Sequence, residues 1–226
     1  MGLLAGYNWD FSWIPENWPA FRAAFWVTMQ LLMLGAFFSL AVGFIVGPLL
    51  NSPRWYVRLA PRLYVELFRL TPMILQIVFF FLILPLQFGI RFTNFQTGVL
   101  ALSLNYGAFA AVIMQAGVAG VDRGQREASM AMGMSRFQVM RRVVFPQAIQ
   151  RMLPPIGSML IYLNKDTSLV SIIGVTELFN VAQSVGARLF RNIEILMFIA
   201  GLYLIVNIPL AVMSERLHKK YADRRS

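Results

Sequence analysis

The 226 residues are 58% hydrophobic and 13% charged, with a mean hydropathy of +0.63. That is about half the charge of a soluble domain, which excludes a surface built to face water. There is no cysteine and a single histidine, His218, in a polar tail; this removes disulfides, thiolate catalysis and thiolate metal sites, and no metal centre is expected. The net charge of +10 lies in short loops between apolar runs, a distribution that argues for membrane topology and against nucleic acid.

The chain therefore reads as an all-α polytopic membrane protein of about five spans. Residues 1–22 carry Asp10 and Glu16 ahead of any cation, unlike the basic start of a signal peptide. Tyr7, Trp9, Phe11, Trp13 and Trp18 make this stretch an expected interfacial segment. A helix needs about 20 mainly apolar residues to cross the hydrocarbon. Charge-free runs of that order extend over Ala23–Pro53, Leu70–Ile90, Phe92–Val121 and Ile195–Ser214. A further apolar segment, Met152–Thr176, is interrupted by Lys165-Asp166, so the fourth span is expected to be irregular. Residues 23–215 form the expected transmembrane domain and 216–226 a basic tail.

With the N-terminus outside, 14 of the 20 Lys and Arg fall in segments 51–62, 120–151 and 214–226. Five fall outside, and Arg69 sits at the mouth of the second span. The positive-inside bias thus gives an outside N-terminus and a cytoplasmic C-terminus. Gly43 and Gly47 form a GxxxG step, and Gly107, Ala108, Ala110 and Ala111 cluster in the third span. Such small residues let helices approach closely, within the bundle or between two copies.

The long inside loop, about 122–146, favours helix, with Met130, Met134 and Phe137 at i, i+4 and i+7. An apolar strip of this kind suits docking into another protein's groove or resting on lipid headgroups. In Asn164-Lys165-Asp166-Thr167-Ser168, five polar residues interrupt an apolar run. A charge at the bilayer centre costs about 2.5–3.5 kcal/mol on insertion scales, so the motif either faces a polar cavity or forms an outside loop. In a cavity, Asp166 suits an α-ammonium, while Lys165, Thr167 and Ser168 suit an α-carboxylate. Met152–Asn164 is too short to cross unless its helix begins near Val143. Glu66 and Arg69, at i, i+3, suit a helix entrance or a gate, with Pro72 kinking the start of the second span. Gln76, one turn deeper, suits the lining of a path or a helix–helix hydrogen bond.

Several of these segments resemble one family. Glu127-Ala128-Ser129, then Gly133, then Val143, Phe145 and Pro146 match the spacing of the "EAA" loop of ABC importer permeases. Glu66-Leu67-Phe68-Arg69-Leu70-Thr71-Pro72 and Asn164-Lys165-Asp166-Thr167-Ser168 resemble the signatures of the polar amino acid permeases, the histidine, glutamate, glutamine and arginine importers. The resemblance covers roughly residues 20–215. It implies a type I importer-like permease fold and ATP-driven translocation of a polar amino acid across a bacterial cytoplasmic (inner) membrane.

The resemblance assigns Glu127, Ala128, Met130, Gly133, Met134 and Phe137 to ATPase coupling. It favours Asn164, Lys165, Asp166, Thr167, Ser168 and Gln76 for substrate. The implied partners are a cytosolic ATPase dimer that binds ATP and Mg, a second permease subunit, same or homologous, and an extracytoplasmic amino acid-binding protein. The chain has no GxxxxGK[ST] loop, so no cofactor or catalysis of its own is expected. One departure stands out: where family members commonly carry Glu in the third span, this chain has Val112. A stand-alone secondary transporter or channel is the alternative, though five spans without internal repeats fit it poorly. A scaffold would gain nothing from the costly Lys165-Asp166 pair.

Overall fold

A computed structural model describes residues 8–222, with side chains through Lys220. Tyr7 and the tail residues Arg224 and Arg225 lie outside the described residues. Among the described residues every regular element is helical: α1 (Trp13–Leu50), α2 (Trp55–Leu70), α3 (Met73–Phe88), α4 (Asn94–Ala119), α5 (Arg123–Ala131), α6 (Arg136–Val139), α7 (Phe145–Asp166), α8 (Leu178–Leu189) and α9 (Asn192–Ala222). A π-helical segment, Met140–Val144, joins α6 to α7, and a 3-10 segment, Thr167–Ile173, continues α7.

α1, α4 and α9 are each long and apolar enough to cross a bilayer. Two bent pairs bring the total to as many as five when each is counted as one span: α2 with α3, at 108°, and the helical run Arg136–Ile173 with α8, at 55°. The fourth span is irregular, as its polar interruption requires, and its α-helix begins at Phe145, two residues from the expected Val143. α1 has no break between the expected interfacial segment and the first span. Its 38 residues extend about 57 Å at 1.5 Å per residue, almost twice the hydrocarbon thickness.

α4 is the central helix, packed against α1, α2, α3 and α7, while α7 and α8 carry α9. Its start is fixed by a capping box: Thr93 Oγ1 accepts from the Gln96 amide at 3.2 Å, and Gln96 Oε1 accepts from the Thr93 amide at 2.9 Å. Leu31, Leu102, Leu163, Ile77 and Val170 fill the core around it. A second core closes one end of the bundle, where Trp13, Phe21 and Phe198 meet edge to face or tilted, with ring centroids 5.2–5.8 Å apart. At the same end Arg191 pairs with Asp10 at 3.6 Å and Glu194 at 3.1 Å, and Arg188 donates to Asn17.

The small residues of α1 are used inside the chain. A Cβ on Gly43 would stand 2.5 Å from Ala110 Cβ and 2.9 Å from the Ala110 carbonyl carbon, so α1 and α4 touch backbone to backbone there. The outer faces of α1 and α9 expose Phe37, Phe44, Ile45, Leu204 and Ile205, the surface a lipid-facing helix presents.

Candidate functional site: a polar cavity and a capped loop

The break between α2 and α3 is built by Thr71-Pro72, since Pro72 donates no amide hydrogen and holds Thr71 extended. The carbonyls it orphans are taken up by side chains. Thr71 Oγ1 donates to Leu67 O at 2.7 Å, and Gln76 Nε2 donates to Phe68 O at 2.9 Å and Thr71 O at 3.1 Å. Asn105 of α4 donates to Phe68 O at 3.0 Å and to Gln76 Oε1 at 3.1 Å. Gln76 is thus a buried clip that holds α2, α3 and α4 together at the break.

Beside that break lies a cavity of about 590 Å³ between α2, α3, α4 and α7. Its polar lining includes Arg69, Thr71, Asn105, Tyr106 and Asp166. Asp166 sits in the last turn of α7, at the change from α to 3-10 helix. Tyr106 of α4 donates its hydroxyl to Asp166 Oδ2 at 2.7 Å, which fixes the carboxylate that lines the cavity. Arg69, in the last turn of α2, lies over the Phe109 ring with its guanidinium carbon 5.3 Å from the centroid. The cavity therefore has a fixed carboxylate on one wall and a guanidinium on another.

The rest of the polar motif points elsewhere. Asn164 is fully buried and donates to Asn207 Oδ1 of α9 at 2.9 Å. Thr167 is also fully buried and donates to Asn164 O at 2.7 Å, and Ser168 Oγ donates to Lys165 O at 2.8 Å. Lys165 is exposed and its ammonium stands 4.5 Å over the Tyr162 ring. Because the chain stays helical through this motif, α to Asp166 and 3-10 beyond it, neighbouring side chains diverge by about 100° or more, and of its residues only Asp166 lines the cavity. Glu66 and Arg69 are not among the ion pairs within 4.0 Å formed by the described residues. Instead both line a second cavity of about 580 Å³, with Arg58, Arg62 and Val112. The position where the family resemblance leads one to expect Glu thus faces this second cavity.

The loop between α4 and α7 differs from the single apolar strip expected of it. α5 ends at Ala131 and Gly133 is left-handed at φ 84°. The Gly133 amide donates to Met130 O at 3.0 Å and the Met134 amide to Ser129 O at 3.2 Å, a Schellman ending. Ser135 then caps α6 with Gln138 in a second capping box. Met130 and Phe137 are therefore on different helices, both exposed, and Met134 packs inward beside Val121 and Val139. Met132, 76% exposed at the turn, joins them as the most projecting apolar side chain of the loop. Glu127 and Ala128 lie on α5.

Residues 39–223 match the family described as binding-protein-dependent transport system inner membrane component. The chain is 33% identical over 217 residues to the glutamine transport system permease protein GlnP of Escherichia coli, covering 95% of this chain and 97% of that one. It is 28% identical to the arginine transport system permease protein ArtQ of Bacillus subtilis, over 94% and 97% of the two chains. Its fold superimposes on a crystal structure of an amino acid ABC transporter with histidines at a TM-score of 0.87, 29% identity, and coverage of 95% of this chain and all of that one. The inward-facing methionine ABC transporter MetNI shares the fold at a TM-score of 0.73 and 19% identity. The chain belongs to the family of binding-protein-dependent transport system inner membrane components, the permease subunits of ATP-driven importers.

Proposed function

We propose that this permease carries a polar amino acid across the bacterial cytoplasmic membrane by alternating access. The observation that supports it is the cavity that Arg69 and Asp166 line together, with Tyr106 holding the carboxylate in place. An amino acid zwitterion matches these charges: Asp166 receives the α-ammonium and Arg69 the α-carboxylate in bidentate fashion. The carboxylate role thus moves from Lys165, Thr167 and Ser168 to Arg69. The relatives named for glutamine and arginine transport favour the same substrate class.

In this reading the α5–α6 turn, with Met130, Met132 and Phe137 exposed, docks into a cytosolic ATPase. That ATPase binds ATP and Mg, and its closure drives the permease between inward- and outward-facing packings. An extracytoplasmic binding protein delivers substrate, and a second permease subunit completes the path. The charge bias supports an outside N-terminus and an inside loop.

The test is uptake of labelled amino acids into vesicles holding the permease with and without its ATPase, with binding protein outside and ATP inside. Uptake that needs the ATPase and is lost in Asp166→Asn supports the reading. Uptake without the ATPase would assign the chain to the secondary transporters, and full uptake by Asp166→Asn would remove the site.

A further inference from the structure

α2 has three faces, and only one of them is buried in the fold. Pro61 and Val65 are buried against the bundle. At 100° per residue, Arg58, Arg62, Glu66 and Arg69 fall on an adjoining arc and line the second cavity. Next to that arc lie Leu59, Leu63, Leu67 and Leu70, 49–77% exposed. Trp55 and Tyr56, 69% and 57% exposed, stand at the start of the helix. The side chains of Arg58 and Arg62 make no hydrogen bond or ion pair among the described residues, and the two outnumber the one carboxylate of this arc, Glu66.

The geometry points to an anionic phospholipid as the ligand of this face: its phosphate sits against Arg58 and Arg62, and its acyl chains run along the exposed leucines. A soluble anion would use the arginines but leave four exposed leucines and two aromatic rings uncovered. A zwitterionic lipid would cover the leucines without answering the excess positive charge. An anionic lipid answers both, and interfacial Trp and Tyr place the helix at headgroup depth. The 108° turn into α3 lays α2 steeply across the span, as a helix lying in the interface requires. The orientation proposed above makes this the cytoplasmic leaflet, where basic residues meet anionic lipid. The inference does not depend on the amino acid site.

The experiment is native mass spectrometry of the full chain in detergent, titrated with phosphatidylglycerol or phosphatidylcholine of the same acyl chains. Phosphatidylglycerol is expected to bind at least about tenfold more tightly. Each arginine contributes about 1 kcal/mol near an anionic surface, so Arg58→Gln with Arg62→Gln lowers that affinity about thirtyfold. Arg58→Lys with Arg62→Lys keeps most of it, because charge on phosphate is what the site reads. Equal binding of the two lipids, or a Gln variant that keeps the preference, overturns the proposal and leaves the face to a protein neighbour. Displacement of phosphatidylglycerol by equimolar glycerol 3-phosphate overturns it in favour of a soluble anion.

Discussion

Alanine at Gly43 sets a methyl group against the backbone of α4. The new Cβ would stand 2.5 Å from Ala110 Cβ, 2.9 Å from Ala110 C and 3.0 Å from the Ala111 amide nitrogen. Carbon atoms in ordinary contact lie about 3.5–4.0 Å apart, and nothing at Ala110 can rotate aside, so α1 must move outward by about 1 Å. Overpacking of this kind costs about 1–3 kcal/mol. Alanine's better helix propensity returns up to about 1 kcal/mol. The same substitution at Gly201, where an added Cβ meets open space beyond its own helix, keeps the gain without the cost. Unfolding of the full chain in mixed micelles, followed against mole fraction of denaturing detergent, should show Gly43→Ala destabilised by up to about 2 kcal/mol. Gly201→Ala should match or slightly exceed the parent. If Gly43→Ala is as stable as Gly201→Ala, the backbone contact between α1 and α4 is absent and the bundle is packed differently.

Gly133→Ala forces a left-handed alanine into the Schellman turn at a cost of about 1–2 kcal/mol; substrate-stimulated ATPase of the assembled importer should fall, and Gly133→Asn, better tolerated at that φ, should fall less. Equal coupling by parent and Ala variant would detach the turn from the ATPase. Gln76→Ala leaves carbonyls at the α2–α3 break short of a donor and should cost about 1–3 kcal/mol in the unfolding assay, with unchanged apparent substrate affinity. A lost affinity at unchanged stability would put Gln76 on the path instead. Asp10, held below the ordinary carboxylate range by its hydrogen bonds to Ser12 and by Arg191, should be fully stabilising above its unfolded pKa. That contribution is lost as pH falls through the lowered folded value. Carbon NMR of labelled aspartate reads its midpoint, and an unshifted one would show the contact to be absent.

The sequence carried the span boundaries well where hydropathy and capping agree. α4 at Asn94–Ala119 lies inside the expected Phe92–Val121 because Thr93 and Gln96 cap it, and Pro72 marks the α2–α3 break as anticipated. The loop was less legible: Met130, Met134 and Phe137 keep helical spacing, yet Gly133 and the Ser135–Gln138 capping box end one helix and start another. That box was present in the sequence and outranks periodicity over so short a segment. The polar motif left a cavity and an outside loop both open, and the helical course of the chain through it decides that Asp166 alone of its residues lines the cavity. Arg69 and Tyr106 join it from distant α2 and α4, and no local pattern brings them together. The Tyr106 hydroxyl, next to Asn105 in an apolar span, is the signal that could have suggested a polar wall.

The most direct test of the proposed transport function is ATPase activity of the permease reconstituted with its ATPase and binding protein, scanned across the twenty amino acids. Stimulation by one or a few polar amino acids, lost in both Asp166→Asn and Arg69→Gln while the complex still assembles, is the predicted result. Stimulation that survives both substitutions, or none by any amino acid in an assembled complex, would contradict the zwitterion site.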